Sequence, residues 1–171
     1  MTDVQIERLS ELRGNDLADL CDAAEAAIVA GGGFGWLTPP RRDVMEAYWR
    51  GNLLVPGRTV FVGRLDGVVA GSAQLNRPRP SSESQSFAVN VSTFFVAPWA
   101  RGHGLAPGML EACEELARRE AYTALNLDVR ATQTRAIQIY EESGYVRWGT
   151  LPKYARVAGE YVEGYFYTKT L

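Results

Sequence analysis

A chain of 171 residues with 46% hydrophobic and 22% charged side chains has the size and make-up of one globular domain spanning 1–171, which excludes a disordered polypeptide. The net charge of -2, from 18 basic and 20 acidic residues, argues against a general nucleic-acid binder, whose affinity rests on neutralising phosphates. The opening MTDVQIERLSEL carries acids and no long apolar run, unlike a signal peptide, and no stretch approaches the ~20 apolar residues of a membrane span. A soluble, cytoplasmic protein with no membrane partner is expected. The two cysteines, Cys21 and Cys113, fall in helical segments and read as buried thiols rather than a disulfide framework.

Residues 3–9 alternate Val4, Ile6 and Arg8 against polar neighbours and read as a short strand. Asn15 or Asp16 caps a helix running to about Ala30, with Leu17, Leu20, Ala24, Ala27 and Ile28 at helical spacing. Gly31–Gly35 stops it, either as a lid over a site or as a plain connection. A second helix starts at Pro40, a residue suited to a first turn, and carries Val44, Tyr48 and Trp49 on one side. Asp66-Gly67 between two β-branched runs is a two-residue hairpin turn, pairing Leu65 with Val68 and Phe61 with Ser72. Residues 79–86 form a polar loop. The next strand places Phe87, Val89, Val91, Thr93 and Phe95 on one face and Asn90, Ser92, Phe94 and Val96 on the other, and Pro98 ends it. A helix over about 104–120 points Leu105, Met109, Ala112 and Leu116 inward. A strand at Leu125–Arg130, a helix over about Gln133–Ser143 capped by Gly144, a strand from Tyr145 and an aromatic last strand complete the chain. The order βααβββαβαββ predicts an α/β fold: one mixed sheet of six or seven strands with about four helices.

The chemistry concentrates in FFVAPWARGHGLAPGMLEA, residues 94–112. A strand, a glycine-rich loop with one arginine and a helix point several backbone N–H groups and a positive helix end at one spot, which suits a pyrophosphate. Arg101 adds a charge-assisted bond, and Gly102 and Gly104 permit close approach. The rival reading is a dinucleotide fingerprint, with Gly102, Gly104 and Gly108 as its glycines and Asp128 about twenty residues on. Against it, Pro98–Arg101 separate the strand from the first glycine, and the first half of the chain supplies a hairpin instead of repeated β-α-β units.

Arg101-Gly102-His103-Gly104-Leu105-Ala106 resembles the cofactor loop of the GNAT acetyltransferases, whose pattern is Arg or Gln, two residues, Gly, one residue, Gly or Ala. Phe94–Pro98 looks like that family's fourth strand, and Gln133–Tyr145 like its second signature, an Asn-x-x-Ala start followed by Leu-Tyr-Glu-x-x-Gly-Phe. GGGFGWL, VVAGSAQL, LNLD and the ending WGTLP to YFYTKTL look most like the tabtoxin-resistance acetyltransferase group. The resemblance implies acetyl-CoA as co-substrate. It places the backbone of Phe94, Phe95 and Val96 along pantetheine, residues 101–106, His103 and Leu105 included, at the pyrophosphate, and Gln133 and Tyr140 beside the pantetheine arm and sulfur. It also implies a sheet split between residues 97 and 124 by the co-substrate. Gln133 stands where the family usually has Asn, and Pro107 and Gly108 where it has helix formers; in a helix Gly108 costs about 1 kcal/mol against alanine.

The implied reaction is attack of an amine on a thioester. A backbone N–H near Val96 receives the oxyanion. Tyr140, protonated at neutral pH, donates to the leaving thiolate, unless it is only a half-buried aromatic. Asp128 is the candidate base, unless it pairs with Arg130 or a cap. His103, the only histidine, reads as an exposed loop residue away from the carbonyl. Trp36, Trp49, Tyr154, Tyr161 and Tyr167 line an acceptor pocket or fill the core. No metal is expected. Three functions compete: an N-acetyltransferase for a small-molecule amine, one for a protein amine, and a non-catalytic acyl-CoA-binding module. The aromatic tail offers a surface for a homodimer.

Overall fold

The computed structural model describes residues 1–32 and 34–171, so Gly33, within the Gly31–Gly35 stop, lies outside the described residues. The elements run β1 Val4–Leu9, α1 Asp16–Val29, α2 Arg42–Asn52, β2 Arg58–Leu65, β3 Val68–Asn76, β4 Ala88–Val96, α3 Leu105–Arg119, β5 Ala124–Arg130, α4 Thr134–Glu142, β6 Val146–Val157 and β7 Glu160–Thr170. That is the order read from the sequence. All seven strands form one sheet, β1-β2-β3-β4-β5-β7-β6, antiparallel throughout except for the parallel β4–β5 pair. Among the described residues no helix is long and apolar enough to cross a membrane.

Helices cover both faces of the sheet. On one, Leu20, Ala24, Ala27 and Ile28 of α1 and Met45 and Trp49 of α2 pack on Val60, Val62 and Val69. On the other, Met109, Leu110 and Cys113 of α3 and Ile139 and Tyr140 of α4 pack on Phe61, Leu75, Val89, Leu125 and Tyr167. The Asp16 carboxylate accepts from the Arg13 N–H (3.0 Å) and pairs with Arg64 (2.9 Å), which ties the start of α1 to β2. Both cysteines are free and buried, and burial pushes the Cys113 thiol up to about 12.

Four local readings need correction. Helix α2 begins after Pro40, and Met45, Trp49 and Asn52 face inward while Val44 is 45% exposed. Asp66 and Gly67 (φ +51° and +83°) make the expected turn, and Leu65 opposes Val68. Ala70 is then skipped in the pairing, so Phe61 faces Ala73 and Ser72 faces Val62. A second bulge lies in β4, where Ser92 opposes Gln74 but Phe95 opposes Ser72, with Thr93 at φ +48°. The extra residue inverts the alternation beyond it: Phe94 and Val96 join Val89 and Val91 on the α3/α4 face, and Phe95 crosses to pack with Trp49 on the α1/α2 face. Phe87 precedes the strand and is exposed.

Helix α3 tolerates Gly108 for a packing reason. A β-carbon there would come within 3.1 Å of Ile6 Cγ1, so the glycine lets the helix start sit close to β1.

The split in the sheet is real. β4 and β5 pair only over Ala88–Asn90 with Ala124–Asn126, whereas β5 stays paired with β7 over Ala124–Arg130. Beyond Asn90 and Asn126 the two parallel strands part and leave a cleft.

Candidate active site

Two cavities open along this cleft and share Phe94 and Gln133. The first, about 380 Å3, runs from the end of α1 to the starts of α3 and α4. Gly102 and Gly104, both at φ +81°, turn the chain so that α3 points its N-terminus at the cavity. Among the described residues, none of the N–H groups of 102–106 donates to a backbone carbonyl, while Gly108 N–H already bonds Gly104 O at 3.1 Å. Pro107 has no N–H to leave unpaired. The result is a run of free amides beside the Arg101 guanidinium, a cradle for a polyanion.

The backbone of β4 forms the wall between the cavities. Ala97 N–H donates to Ala70 O at 2.7 Å, so Gly71 and Val96 are a non-hydrogen-bonded pair. In an antiparallel ladder the amides of such a pair face away from each other, which turns the Val96 N–H away from β3 toward the side where β5 has parted. Phe95 and Leu105 border the first cavity with their side chains buried in core, so their contribution is main-chain.

The second cavity, about 570 Å3, lies between the Phe34–Leu37 segment, the β4 bulge, β5 and β6. Strand alternation puts Asp128 on one face of β5 with Asn126 and Arg130. The Tyr154 hydroxyl donates to Asp128 Oδ2, and this contact, not an Arg130 pair, is the carboxylate's partner. Tyr154 reaches it because β6 leaves register with β7 between Leu151 and Ala155 and lays its ring over Gly164. A β-carbon on Gly164 would meet ring carbons of Tyr154 at 2.1–2.5 Å. Gly164→Ala should therefore push the ring off its seat, release Asp128 and lower kcat by up to about 10²-fold, the scale of a 1 Å misplacement. Steady-state kinetics with the melting temperature as control checks this; unchanged kcat in a folded variant would show that the seat is not needed.

Tyr140 reaches the same cavity from α4, on the opposite side of the sheet, through the gap between β4 and β5. It is only 4% exposed, and its ring packs against Phe94, Tyr167 and Tyr145 with centroids 5.5, 6.0 and 6.1 Å away. Burial, then the charge of Asp128 and the neighbouring Tyr154, push its hydroxyl well above the ordinary tyrosine range. Burial and the bond to Asp128 do the same to Tyr154.

Of the residues singled out from the sequence, Phe94, Phe95, Val96, Arg101, Gly102, Gly104, Leu105, Ala106 and Gln133 border the first cavity, and Asp128 and Tyr140 the second. His103 is exposed and outside both linings. Among the aromatic candidates only Tyr154 lines the second cavity. Trp49 and Tyr167 are core, Tyr161 is 57% exposed, and Trp36 packs on Phe34 and Tyr48. Phe34 and Gly35, from the segment read as a lid or a connection, line the second cavity, and so do Leu37, Thr93 and Arg130, which were not read as site residues. The readable signal for Tyr154 was Gly164, an isolated glycine in an aromatic strand, which marks close approach.

Comparison with known proteins agrees with this geometry. The profile of the Acetyltransferase (GNAT) family matches residues 22–145. An N-acetyltransferase from the hisH–hisA intergenic region of Azospirillum brasilense is 58% identical over 135 residues, covering 79% of this chain and 80% of that protein. Among solved structures, an N-acetyltransferase from Staphylococcus aureus Mu50 superposes with a TM-score of 0.80 at 20% identity, over 98% of both chains. An acetyltransferase from Salmonella typhimurium, solved with its cofactor acetyl-CoA, gives 0.76 at 20% identity, over 98% of this chain and 93% of its own. With a family match over most of its length and a relative this similar, the chain belongs to the GNAT acetyltransferase family and is an N-acetyltransferase.

Proposed function

We propose that the chain transfers the acetyl group of acetyl-CoA to the primary amine of a small molecule, and that the two cavities divide the substrates between them. The observation that carries this reading is the parting of β4 from β5 between an anion cradle and a partly roofed pocket. Acetyl-CoA is the co-substrate: the 102–106 amides and Arg101 hold its pyrophosphate, and the main chain of Phe94–Val96 and Gln133 border its pantetheine. The second cavity takes the amine, and its volume suits a drug-sized molecule. The two free, buried thiols fit a reducing cytoplasm.

Asp128 takes a proton from the amine, whose nitrogen attacks the thioester carbonyl to give a tetrahedral oxyanion; the C–S bond then breaks as the carbonyl re-forms and the thiolate leaves. The Val96 N–H meets the developing oxyanion, a donor worth about 2.7–4 kcal/mol where such groups have been removed. Tyr140 returns a proton to the departing sulfur. The test is release of free thiol from acetyl-CoA against a panel of small amines and lysine peptides. Turnover confined to peptides would assign the acceptor to proteins.

Arg101→Glu should weaken acetyl-CoA binding by about 10–100-fold, the loss of a charge-assisted bond, with the fold intact because Arg101 is exposed. Calorimetry checks it, and an unchanged Kd would move the pyrophosphate elsewhere.

A further inference from the structure

The second cavity carries both signs of charge on one strand. Asp128 and Arg130 are two residues apart on the same face of β5, roughly 6.6–6.8 Å along the strand. No ion pair joins them, and among the described residues Arg130 has no acid partner within ion-pair distance. Among the described residues its guanidinium's one hydrogen bond goes to the Gly32 carbonyl at 3.3 Å, which uses one of five N–H donors. Arg130 is half-buried with its stem against the sheet, so its remaining N–H donors are open to water or to an anionic ligand in the cavity. Asp128 uses one oxygen for the Tyr154 hydroxyl and has lone pairs left for an ammonium.

We propose that the acceptor is a zwitterion of the amino-acid type, whose amine lies at Asp128 and whose carboxylate is held by Arg130. This rests on the reading that the second cavity receives the amine. The planar guanidinium fork suits a carboxylate in two parallel bonds. A polyamine would set its second cation against Arg130, and a protein lysine side chain brings no anion beside its amine.

Thiol release from acetyl-CoA is measured with three matched series: the standard α-amino acids, their α-carboxamides, and the amines lacking that group altogether. For at least one side chain the acid should exceed its amide in kcat/KM by about 10–100-fold, the worth of a charge-assisted bond. Arg130→Ala should bring that ratio close to one, and Arg130→Lys, which keeps a charge but no fork, should leave an intermediate ratio. Amides that match or beat their acids in the unaltered enzyme overturn the proposal without touching the acceptor site. So does an Arg130→Ala enzyme with an unchanged ratio and a weakened Kd for acetyl-CoA, which would assign Arg130 to the co-substrate. Thiol release with none of the three series overturns the acceptor-site reading itself, and this inference with it.

Discussion

Tyr140→Phe should bind acetyl-CoA as tightly as the unaltered enzyme and turn over about 10²–10⁴-fold more slowly, the range for loss of a positioned acid. The change deletes one hydroxyl and leaves the ring wedged among Phe94, Tyr145 and Tyr167, so packing is kept. Burial, Asp128 and Tyr154 all disfavour the phenolate, so the hydroxyl stays protonated at neutral pH and above the ordinary tyrosine value near ~10. Tyr140 should thus contribute no alkaline limb to the kcat profile below about pH 10. In kinetic terms kcat and kcat/KM should fall together, as they do when the missing interaction is made only in the transition state. Stopped-flow thiol release and calorimetry decide it. Near-normal turnover would hand the proton to water and leave Tyr140 a core aromatic.

How much of this was legible follows from where each signal resides. Asp66-Gly67 could be read because two positive-φ residues make one kind of turn whatever surrounds them. Where the helices lie could be read from spacing, though not the inward face of α2, and the cradle from glycines and one arginine, because these are local properties of the chain. The skipped Ala70 and the Thr93 bulge could not. A bulge is one residue of mismatch between two strands, set by how β3 meets its neighbours, and nothing in a period-two pattern announces it. From Thr93 onward the alternation rule therefore predicted the wrong face for Phe94, Phe95 and Val96, although the family resemblance had placed all three along the co-substrate. Thr93 itself is a β-branched residue at φ +48°, a strained conformation, and the Tyr48 hydroxyl lies 3.1 Å from its Oγ1. The aromatic candidates, left open between pocket and core, could not be sorted for a related reason. Whether Trp49, Tyr154 or Tyr167 is core or pocket depends on what packs over it, and only the Tyr154–Gly164 contact distinguishes them.

Asp128→Asn is the sharper test of the site, because it separates charge from shape. Asparagine keeps the outline of the side chain, and its carbonyl oxygen can still accept from the Tyr154 hydroxyl, so the β5–β6 contact survives. What disappears is a negative charge and a place for the amine's proton. Near neutral pH most of a primary amine is ammonium, and the variant must rely on the small free-amine fraction. Its kcat/KM should be about 10²-fold or more below the unaltered enzyme there. The free fraction grows tenfold per pH unit until the amine's own pKa, about 8 for a peptide's terminal amine, about 10.4 for a lysine-like one, and above the peptide value for a free amino acid, whose carboxylate stabilises the ammonium. The deficit should shrink over that interval, and the pH at which it levels off reports the amine rather than the protein. Losing the charge also weakens the hold on an ammonium, which raises KM for the acceptor while leaving KM for acetyl-CoA alone. Tyr154→Phe, which keeps the carboxylate but removes its donor, should show a smaller kcat loss with little dependence on pH, as expected of a positioning residue. If Asp128→Asn loses the same factor at every pH, the carboxylate binds the acceptor or holds Tyr154 in place, and the proton leaves by another route.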